Sequence, residues 1–275
     1  MSGNFVPNCP DWLPTRIVLT CEHASRVVPA RWRRLFREHR LALRSHRGSD
    51  IGALSVAQGM EDYLGVTSTS PTSPTSLTPA TSATWPPALL AAPLLSTSAT
   101  RLLIDLNRSL DNPEVFSEMS RSLNETERVR IIDKYYLPHR NRVQALVAET
   151  IAEGHQVLHV GVHSFVDVFH GEQRNVDVGL LFDPDRISEA SFCDRWLSSL
   201  SQLPGGLRYR ANQPYLGTDD GLTTALRMQF DPLCYAGVEI ELRQGLLGRA
   251  RPRRRLASAL TQSLRSLFAQ NGQPA

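Results

Sequence analysis

The nine residues VLHVGVHSF, Val157–Phe165, form a short and largely apolar run that contains three valines. Such a run is typical of a strand that is buried on both faces. Similar runs are RIVLTC (Arg16–Cys21), VDVGLLFDP (176–184) and YAGVEIELRQG (235–245). Helical stretches separate them, so the pattern predicts an α/β fold whose central sheet, parallel or mixed, is flanked by helices.

Three segments have the apolar spacing of helices. Residues 49–65 are predicted to form a helix that ends at a glycine, and residues 253–269 a helical tail. Residues 121–154 are predicted to form a helix pair, or one helix broken at Pro138. The run RLLIDLNRS (101–109) predicts one more buried strand, with a polar end.

The chain length of 275 residues and the 41% hydrophobic content fit one large domain over residues 1–275. Within it, Ser, Thr and Pro fill 17 of the 21 positions from 67 to 87. This composition cannot build a core, so we expect an inserted loop at about 67–90.

Four scattered cysteines, and the absence of a visible signal peptide or long apolar run, predict a soluble, cytoplasmic protein without a membrane span. One basic cluster could instead contact a nucleic-acid backbone. It carries no interleaved aromatic residues and opens an amphipathic helix, so a solvated helix face is favoured and no nucleic-acid partner is expected. The cluster consists of Arg249, Arg251, Arg253, Arg254 and Arg255.

Two histidines follow or end predicted strands. His23 comes directly after the first strand, and His163 lies near the end of VLHVGVHSF. Sites in open α/β sheets gather beyond the carboxyl ends of strands, where a metal or a substrate could be held. His159 is four residues before His163, roughly 13 Å away along a strand, so these two cannot share one metal ion.

A catalytic zinc commonly has three protein ligands and one open position for water. Asp50 and Glu22 are the candidates for the third ligand. Neighbouring side chains on a strand point to opposite faces, so Glu22 could join His23 only if the strand has already turned into a loop. We favour Asp50, which lies at a predicted helix start.

Two acids and an arginine share one face of the strand VEIELRQ (238–244), because Glu239, Glu241 and Arg243 are two residues apart. Spacing alone also fits a solvent-exposed strand face. The surrounding apolar residues favour burial, and a buried carboxylate needs a partner or a function. One such function is general acid/base catalysis. The sequence has no HExxH, phosphate-loop or GxSxG string, which argues against thermolysin-like, nucleotide-binding and serine-hydrolase sites.

Seven strings resemble successive motifs of the N-formylglutamate amidohydrolase family, in the family's order. The similarity runs from about Ile17 to about Leu247, interrupted mainly by the Ser/Thr/Pro stretch. The strings are CEHAS (21–25), HRGSDIGA (46–53), RLLIDLNRS (101–109), GVHSF (161–165), RNVDVGLLFDP (174–184), YLGTDDGLTT (215–224) and VEIELRQ (238–244).

This resemblance implies a zinc carboxypeptidase-like hydrolase fold with one Zn²⁺ per chain. It implies hydrolysis of a small acidic N-acyl amino acid, above all N-formyl-L-glutamate. The residues matched to family roles are His23, Asp50 and His163 as metal ligands, Glu241 as the acid/base, and Asn107 and Arg108 as the pair that holds a carboxylate. Arg174 or Arg243 could then bind a second carboxylate.

Other amidases remain compatible with these motifs. An aspartoacylase-like enzyme, or another N-acyl amino acid deacylase, would use a similar metal site. A peptidoglycan amidase is disfavoured because no export signal is visible. Whether Glu22 or Asp50 is the carboxylate ligand, and whether Glu239 or Glu241 is the acid/base, stay open at this point.

Overall fold

A computed structural model describes residue 12 and residues 14–65, 90–91 and 94–270. The predicted Ser/Thr/Pro insertion at about 67–90 lies outside the described residues except for its last position. The described strands are β1 (Arg16–Cys21), β2 (Leu90–Ala91), β3 (Leu95–Ser96), β4 (Val157–Phe165), β5 (Val168–Phe169), β6 (Glu172–Gln173), β7 (Val178–Leu181), β8 (Tyr209–Ala211) and β9 (Tyr235–Arg243).

The described α-helices are α1 (Arg40–Arg44), α2 (Ala53–Gly65), α3 (Glu125–Ile131), α4 (Leu137–Ala152), α5 (Ile187–Ser201), α6 (Leu222–Arg227) and α7 (Ala250–Gln270). Two 3-10 segments occur at Ala30–Phe36 and Gln244–Leu246, and a π turn at Ile132–Tyr136 joins α3 to α4.

The central sheet is mixed, as predicted. Its strand order is β2-β1-β4-β9-β7-β8, with β3 paired to the far end of β1. Strands β1, β4 and β9 run parallel, whereas β7 is antiparallel to β9. The carboxyl ends of β1, β4 and β9 therefore meet at one edge of the sheet, where sites of α/β proteins gather.

Helices cover both faces of this sheet. In β1, Ile17 and Leu19 face a core formed with α2, α5 and α7, whereas Val18 packs against Val143 and Val147 of α4 on the opposite face. This alternation follows from the two-residue period of a strand. It explains why the predicted strands are apolar on both faces, and it confirms the α/β sheet flanked by helices.

Helix α7 confirms the predicted helical tail. Leu256, Leu260 and Leu264 form its buried stripe at a spacing of four residues. The arginine cluster lies at its start, where Arg251, Arg254 and Arg255 are exposed to solvent. Across the described ranges, no helix has both the length and the apolar character needed to span a bilayer.

The strand predicted at 101–109 is wrong, because these residues form consecutive turns. Leu103 and Ile104 are buried all the same, in a separate apolar cluster that includes Trp32 and Ile131. A short buried apolar run has the same appearance in a strand and in a packed loop, so the pattern alone could not separate them.

The helical segment predicted at 121–154 is confirmed as one broken helix, but the break differs from the prediction. The π turn Ile132–Tyr136 replaces a sharp stop, and Pro138 lies in the first turn of α4. Proline removes one N–H donor from the helix here, next to the π turn, where the regular α-helical hydrogen-bond pattern is already interrupted. Gly154 follows the helix with a φ of 85°, a conformation that glycine adopts without strain.

Candidate functional site

Three side chains predicted to act together converge at the carboxyl edge of the sheet. His23 lies in the turn after β1, His163 lies near the end of β4, and Asp50 lies in the turn that leads into α2. The His163 Nδ1 atom is 3.0 Å from Asp50 Oδ2 and 3.2 Å from His23 Nδ1. His23 Nδ1 is 3.3 Å from the same Asp50 oxygen. All three residues are buried.

Each histidine has a carboxylate at its other ring nitrogen. His23 Nε2 is 2.7 Å from Asp105 Oδ1, and His163 Nε2 is 3.2 Å from Glu22 Oε2 in poor hydrogen-bond geometry. Such outer carboxylates orient metal-binding imidazoles and fix which nitrogen is available. The Nδ1 atoms of both rings are thereby left for the centre. Glu22 lies behind His163, so the structure brings Asp50 rather than Glu22 to the three-atom cluster.

The spacing of the three donor atoms fits a metal ion. Ligands at about 2.0–2.1 Å from a tetrahedral zinc lie about 3.3 Å from one another. The observed separations of 3.0, 3.2 and 3.3 Å are close to this edge length. Two imidazoles and one carboxylate form a donor set of the kind found in catalytic zinc sites, which leave a fourth position for water.

The charges around this cluster favour a cation. Burial would raise the pKa of Asp50, but His23 and His163 hold it well below its usual range. Burial would lower the pKa of His163, but Asp50 and Glu22 raise it well above its ordinary value. Positive charge at this point is therefore stabilised by the surrounding carboxylates.

The two acids of β9 lie beside the cluster in different environments. Glu241 is paired in register with His163 on β4. Glu239 lies two residues earlier on β9 and therefore on the same face of the sheet. The Glu239 Oε1 atom accepts hydrogen bonds from Asn107 Nδ2 at 3.3 Å and from Thr223 Oγ1 at 3.2 Å. The Oε2 atom of Glu241 is buried without a hydrogen-bond partner in the described part of the chain.

Burial, together with the nearby Asp50 and Glu239 carboxylates, raises the pKa of Glu241 to about 8. A carboxyl group of this kind can hold or release a proton near neutral pH, as an acid/base catalyst must. Glu239, whose oxygen is already engaged, is the poorer candidate for that role.

A cleft of about 160 Å³ opens above these groups. Its wall includes Arg108, whose Nη1 donates to the main-chain oxygen of Asp220 at 2.6 Å. No carboxylate of the described residues forms a salt bridge with Arg108. An arginine of this kind can bind a carboxylate of a ligand through two parallel hydrogen bonds.

Asn107 lines the cleft too, but its side chain is engaged by the protein. Its Oδ1 accepts the N–H of Leu222 at 2.8 Å, at the start of α6, while its Nδ2 donates to Glu239. This amide therefore orients the wall of the cleft, and a direct contact with a ligand would have to compete with these bonds.

Arg174 and Arg243, predicted to serve a second carboxylate, have contrasting surroundings. Arg243 binds Asp167 at 2.6 Å and Asp177 at 2.7 Å and does not line the cleft, so the structure does not bring it to a substrate. The Arg174 guanidinium donates to the Tyr215 hydroxyl at 2.9 Å. Neither arginine lines the cleft itself, but Arg174 contacts Tyr215, which does.

Two site residues were missed by the sequence reasoning. Asp105 binds His23, and Arg101 donates to Asp105 through Nη2 at 2.7 Å and lies 3.5 Å from Asp50 Oδ1. The available signal was an acid within the apolar run RLLIDL, because a buried charge requires a partner.

Together the fold and the cleft define an α/β protein with a candidate metal centre at the carboxyl edge of a mixed sheet. Residues 15–247 match the N-formylglutamate amidohydrolase family, and the chain belongs to that family. It is therefore an enzyme that hydrolyses amides.

Solved structures show the same fold. The gene product Atu2144 from Agrobacterium tumefaciens is 26% identical, with a TM-score of 0.73 over 94% of this chain and 92% of that one. The N-formylglutamate amidohydrolase from Ralstonia eutropha JMP134 is 18% identical, with a TM-score of 0.53 over 92% and 93% of the two chains. No curated protein matches the sequence.

Proposed function

We propose that this chain is a zinc-dependent hydrolase that converts N-formyl-L-glutamate to formate and L-glutamate. The observation that carries the proposal is the cluster of His23 Nδ1, His163 Nδ1 and Asp50 Oδ2, with mutual separations of 3.0 to 3.3 Å beside an unpaired buried carboxyl group. Family membership supports the formyl amide as the bond cleaved.

His23, Asp50 and His163 would hold the zinc ion. When bound, the ion supplies Lewis acidity, which polarises the acyl oxygen and makes water acidic enough to attack at neutral pH. Outer carboxylates at both histidines support this assignment, because they fix the ring orientation before a ligand arrives.

Glu241 handles the proton in the proposed reaction. Its carboxylate takes a proton from the attacking water as the new C–O bond forms at the formyl carbon. The same carboxyl group then donates that proton to the amide nitrogen as the C–N bond breaks, so that glutamate leaves as an amine. The Oε2 atom of this residue, which has no hydrogen-bond partner among the described residues, is available for both steps.

Two arginines position the substrate. Arg108 would bind the α-carboxylate of the glutamate part and so set the amide beside Glu241. Arg174, which donates to the hydroxyl of the cleft residue Tyr215, would reach the second carboxylate. An acidic amino acid is favoured because Arg108 lines the cleft, Arg174 contacts its lining residue Tyr215, and neither forms a salt bridge with a carboxylate among the described residues.

A panel of N-formyl, N-acetyl and N-succinyl amino acids tests the substrate. We expect formate release from N-formyl-L-glutamate, full inhibition by a chelator, and recovery on addition of Zn²⁺. Higher kcat/KM for an N-acetyl amino acid would favour the aspartoacylase-like alternative, because the metal chemistry is shared and only the acyl group differs. Chelator-resistant hydrolysis would contradict the zinc dependence.

A further inference from the structure

Two side chains at the junction between the π turn and α4 form hydrogen bonds to the main chain at Arg108. The Tyr136 hydroxyl donates to the carbonyl oxygen of Arg108 at 2.8 Å. Arg140 Nη1 donates to the same oxygen at 3.2 Å and to the carbonyl oxygen of Leu106 at 3.1 Å. The Tyr136 side chain is buried, and the Arg140 guanidinium lies 5.2 Å from the centre of its ring. These two side chains thus form one unit.

The helix geometry explains why both residues reach the same carbonyl. Positions 136 and 140 are four residues apart and lie on one face of a helix. The π turn Ile132–Tyr136 ends at this point, and π turns within helices are frequent at functional sites. If these residues formed a regular α-helical turn, α3 would be rotated relative to α4. The π turn therefore sets the orientation of α3 relative to Tyr136 and α4.

The loop before Arg108 is fixed at its other end as well. The Asp105 carboxylate accepts the N–H of Asn107 at 3.0 Å and contacts His23 at 2.7 Å. The same helix turn contributes His139, which is 3.4 Å from Glu22, the carboxylate behind His163. One short loop therefore lies between the candidate metal centre and the start of α4.

We propose that Tyr136 and Arg140 are positioning residues that hold the Arg108 main chain so that its guanidinium meets the substrate carboxylate. Neither touches the substrate, and both act through Arg108. This inference rests on the proposed function for its catalytic consequence. The structural part of the inference, that these residues fix the loop, rests on the three hydrogen bonds to the carbonyl oxygens of Leu106 and Arg108.

Tyr136→Phe is the sharpest test, because it removes one hydroxyl and keeps the buried ring. We expect the KM for N-formyl-L-glutamate to rise about threefold to tenfold, as loss of one hydrogen bond predicts, with kcat within about twofold of wild type. Tyr135→Phe is the matched control. Its ring packs on Trp32 at 5.8 Å and it makes no hydrogen bond to the loop, so its KM should stay unchanged.

Two further measurements separate positioning from a general structural role. N-formyl-4-aminobutyrate lacks the α-carboxylate, so Tyr136→Phe should leave its KM unchanged. In the Arg108→Ala background, Tyr136→Phe should cause no further rise in KM for N-formyl-L-glutamate. An equal KM increase for both substrates, or additive effects of the two substitutions, would overturn the proposal.

Hydrogen exchange tests, independently of activity, whether Tyr136 fixes the loop at Arg108. Peptides that cover residues 102–110 should exchange faster in Tyr136→Phe than in wild type or in Tyr135→Phe. Unchanged exchange would overturn the inference even if the enzyme cleaves N-formyl-L-glutamate. If exchange is faster but the protein cleaves no N-formyl amino acid, Tyr136 still fixes the loop at Arg108, and the proposed function is refuted.

Discussion

Two histidines on the same strand have opposite environments. His159 and His163 both lie on β4, are four residues apart, and are buried. The ring nitrogens of His159 meet neutral hydroxyl groups, Thr20 at 2.9 Å and Tyr235 at 2.8 Å. His163 lies between two carboxylates, Asp50 and Glu22. Burial is the same, and the charge of the partners differs.

This difference separates a structural histidine from a candidate metal ligand. Burial lowers the pKa of His159 to about 4, so this ring is neutral in the fold. Carboxylates at both nitrogens raise the pKa of His163 despite its burial. A buried imidazole among carboxylates stabilises a positive charge, whether a proton or a metal ion supplies it.

The largest effect should be the difference between substitutions of these two histidines. His163→Ala removes one of three metal donors, so we expect loss of bound zinc and a fall in kcat/KM of at least about a thousandfold. His159→Gln should keep one equivalent of zinc and most of the activity, because glutamine can still bond to Thr20 and Tyr235. Elemental analysis beside kinetics gives both readings. Stoichiometric zinc in His163→Ala would refute the assignment.

The next effect concerns proton transfer beside the centre. Glu241→Gln keeps the shape of the side chain but cannot carry the proton, so kcat should fall about a hundredfold to ten-thousandfold while zinc remains bound. Glu239→Gln should lower kcat far less, because its oxygen already serves Asn107 and Thr223. Equal losses in both variants would leave Glu241 without a special role.

A smaller effect is expected at the substrate carboxylate. Arg108→Ala should raise the KM for N-formyl-L-glutamate about tenfold to a hundredfold, since it removes hydrogen bonds to a charged group. The KM for N-formyl-4-aminobutyrate should change little, because that substrate has no α-carboxylate. If KM rose equally for both substrates, Arg108 would not be the partner of the α-carboxylate.

The smallest effect is one of stability and concerns His159. Its pKa is about 4 in the fold against an ordinary 6.5, so below pH 6.5 the unfolded chain binds a proton that the folded chain does not. Stability is therefore lost as the pH falls. Wild type should lose about 2 kcal/mol more than His159→Gln between pH 7 and pH 5. Urea unfolding at the two pH values measures this, and equal losses would contradict a neutral buried ring.

The sequence predicted the regular parts of the fold well. Buried strands such as β4 and β9 are visible because their apolar runs are long and bounded, and histidines at strand ends point to one edge of the sheet. At 101–109 the pattern predicts a strand where the structure has turns, because apolar residues of these turns are buried in a separate cluster. Sequence patterns do not show which surface buries such a run.

The site was predictable in its types of residue and less so in its pairings. His23, Asp50 and His163 are brought together as expected from strand ends and a helix start. The pairing of Asp105 with His23, and of Arg243 with Asp167 and Asp177, depends on loop paths that have no periodic signal. Such contacts become visible only when the chain is folded.

Anomalous diffraction at the zinc edge, from crystals of the purified enzyme, tests the central claim most directly. We predict one peak about 2.0–2.1 Å from His23 Nδ1, His163 Nδ1 and an Asp50 oxygen. No peak at that point after saturation with Zn²⁺, or a peak bound by other residues, would contradict the account.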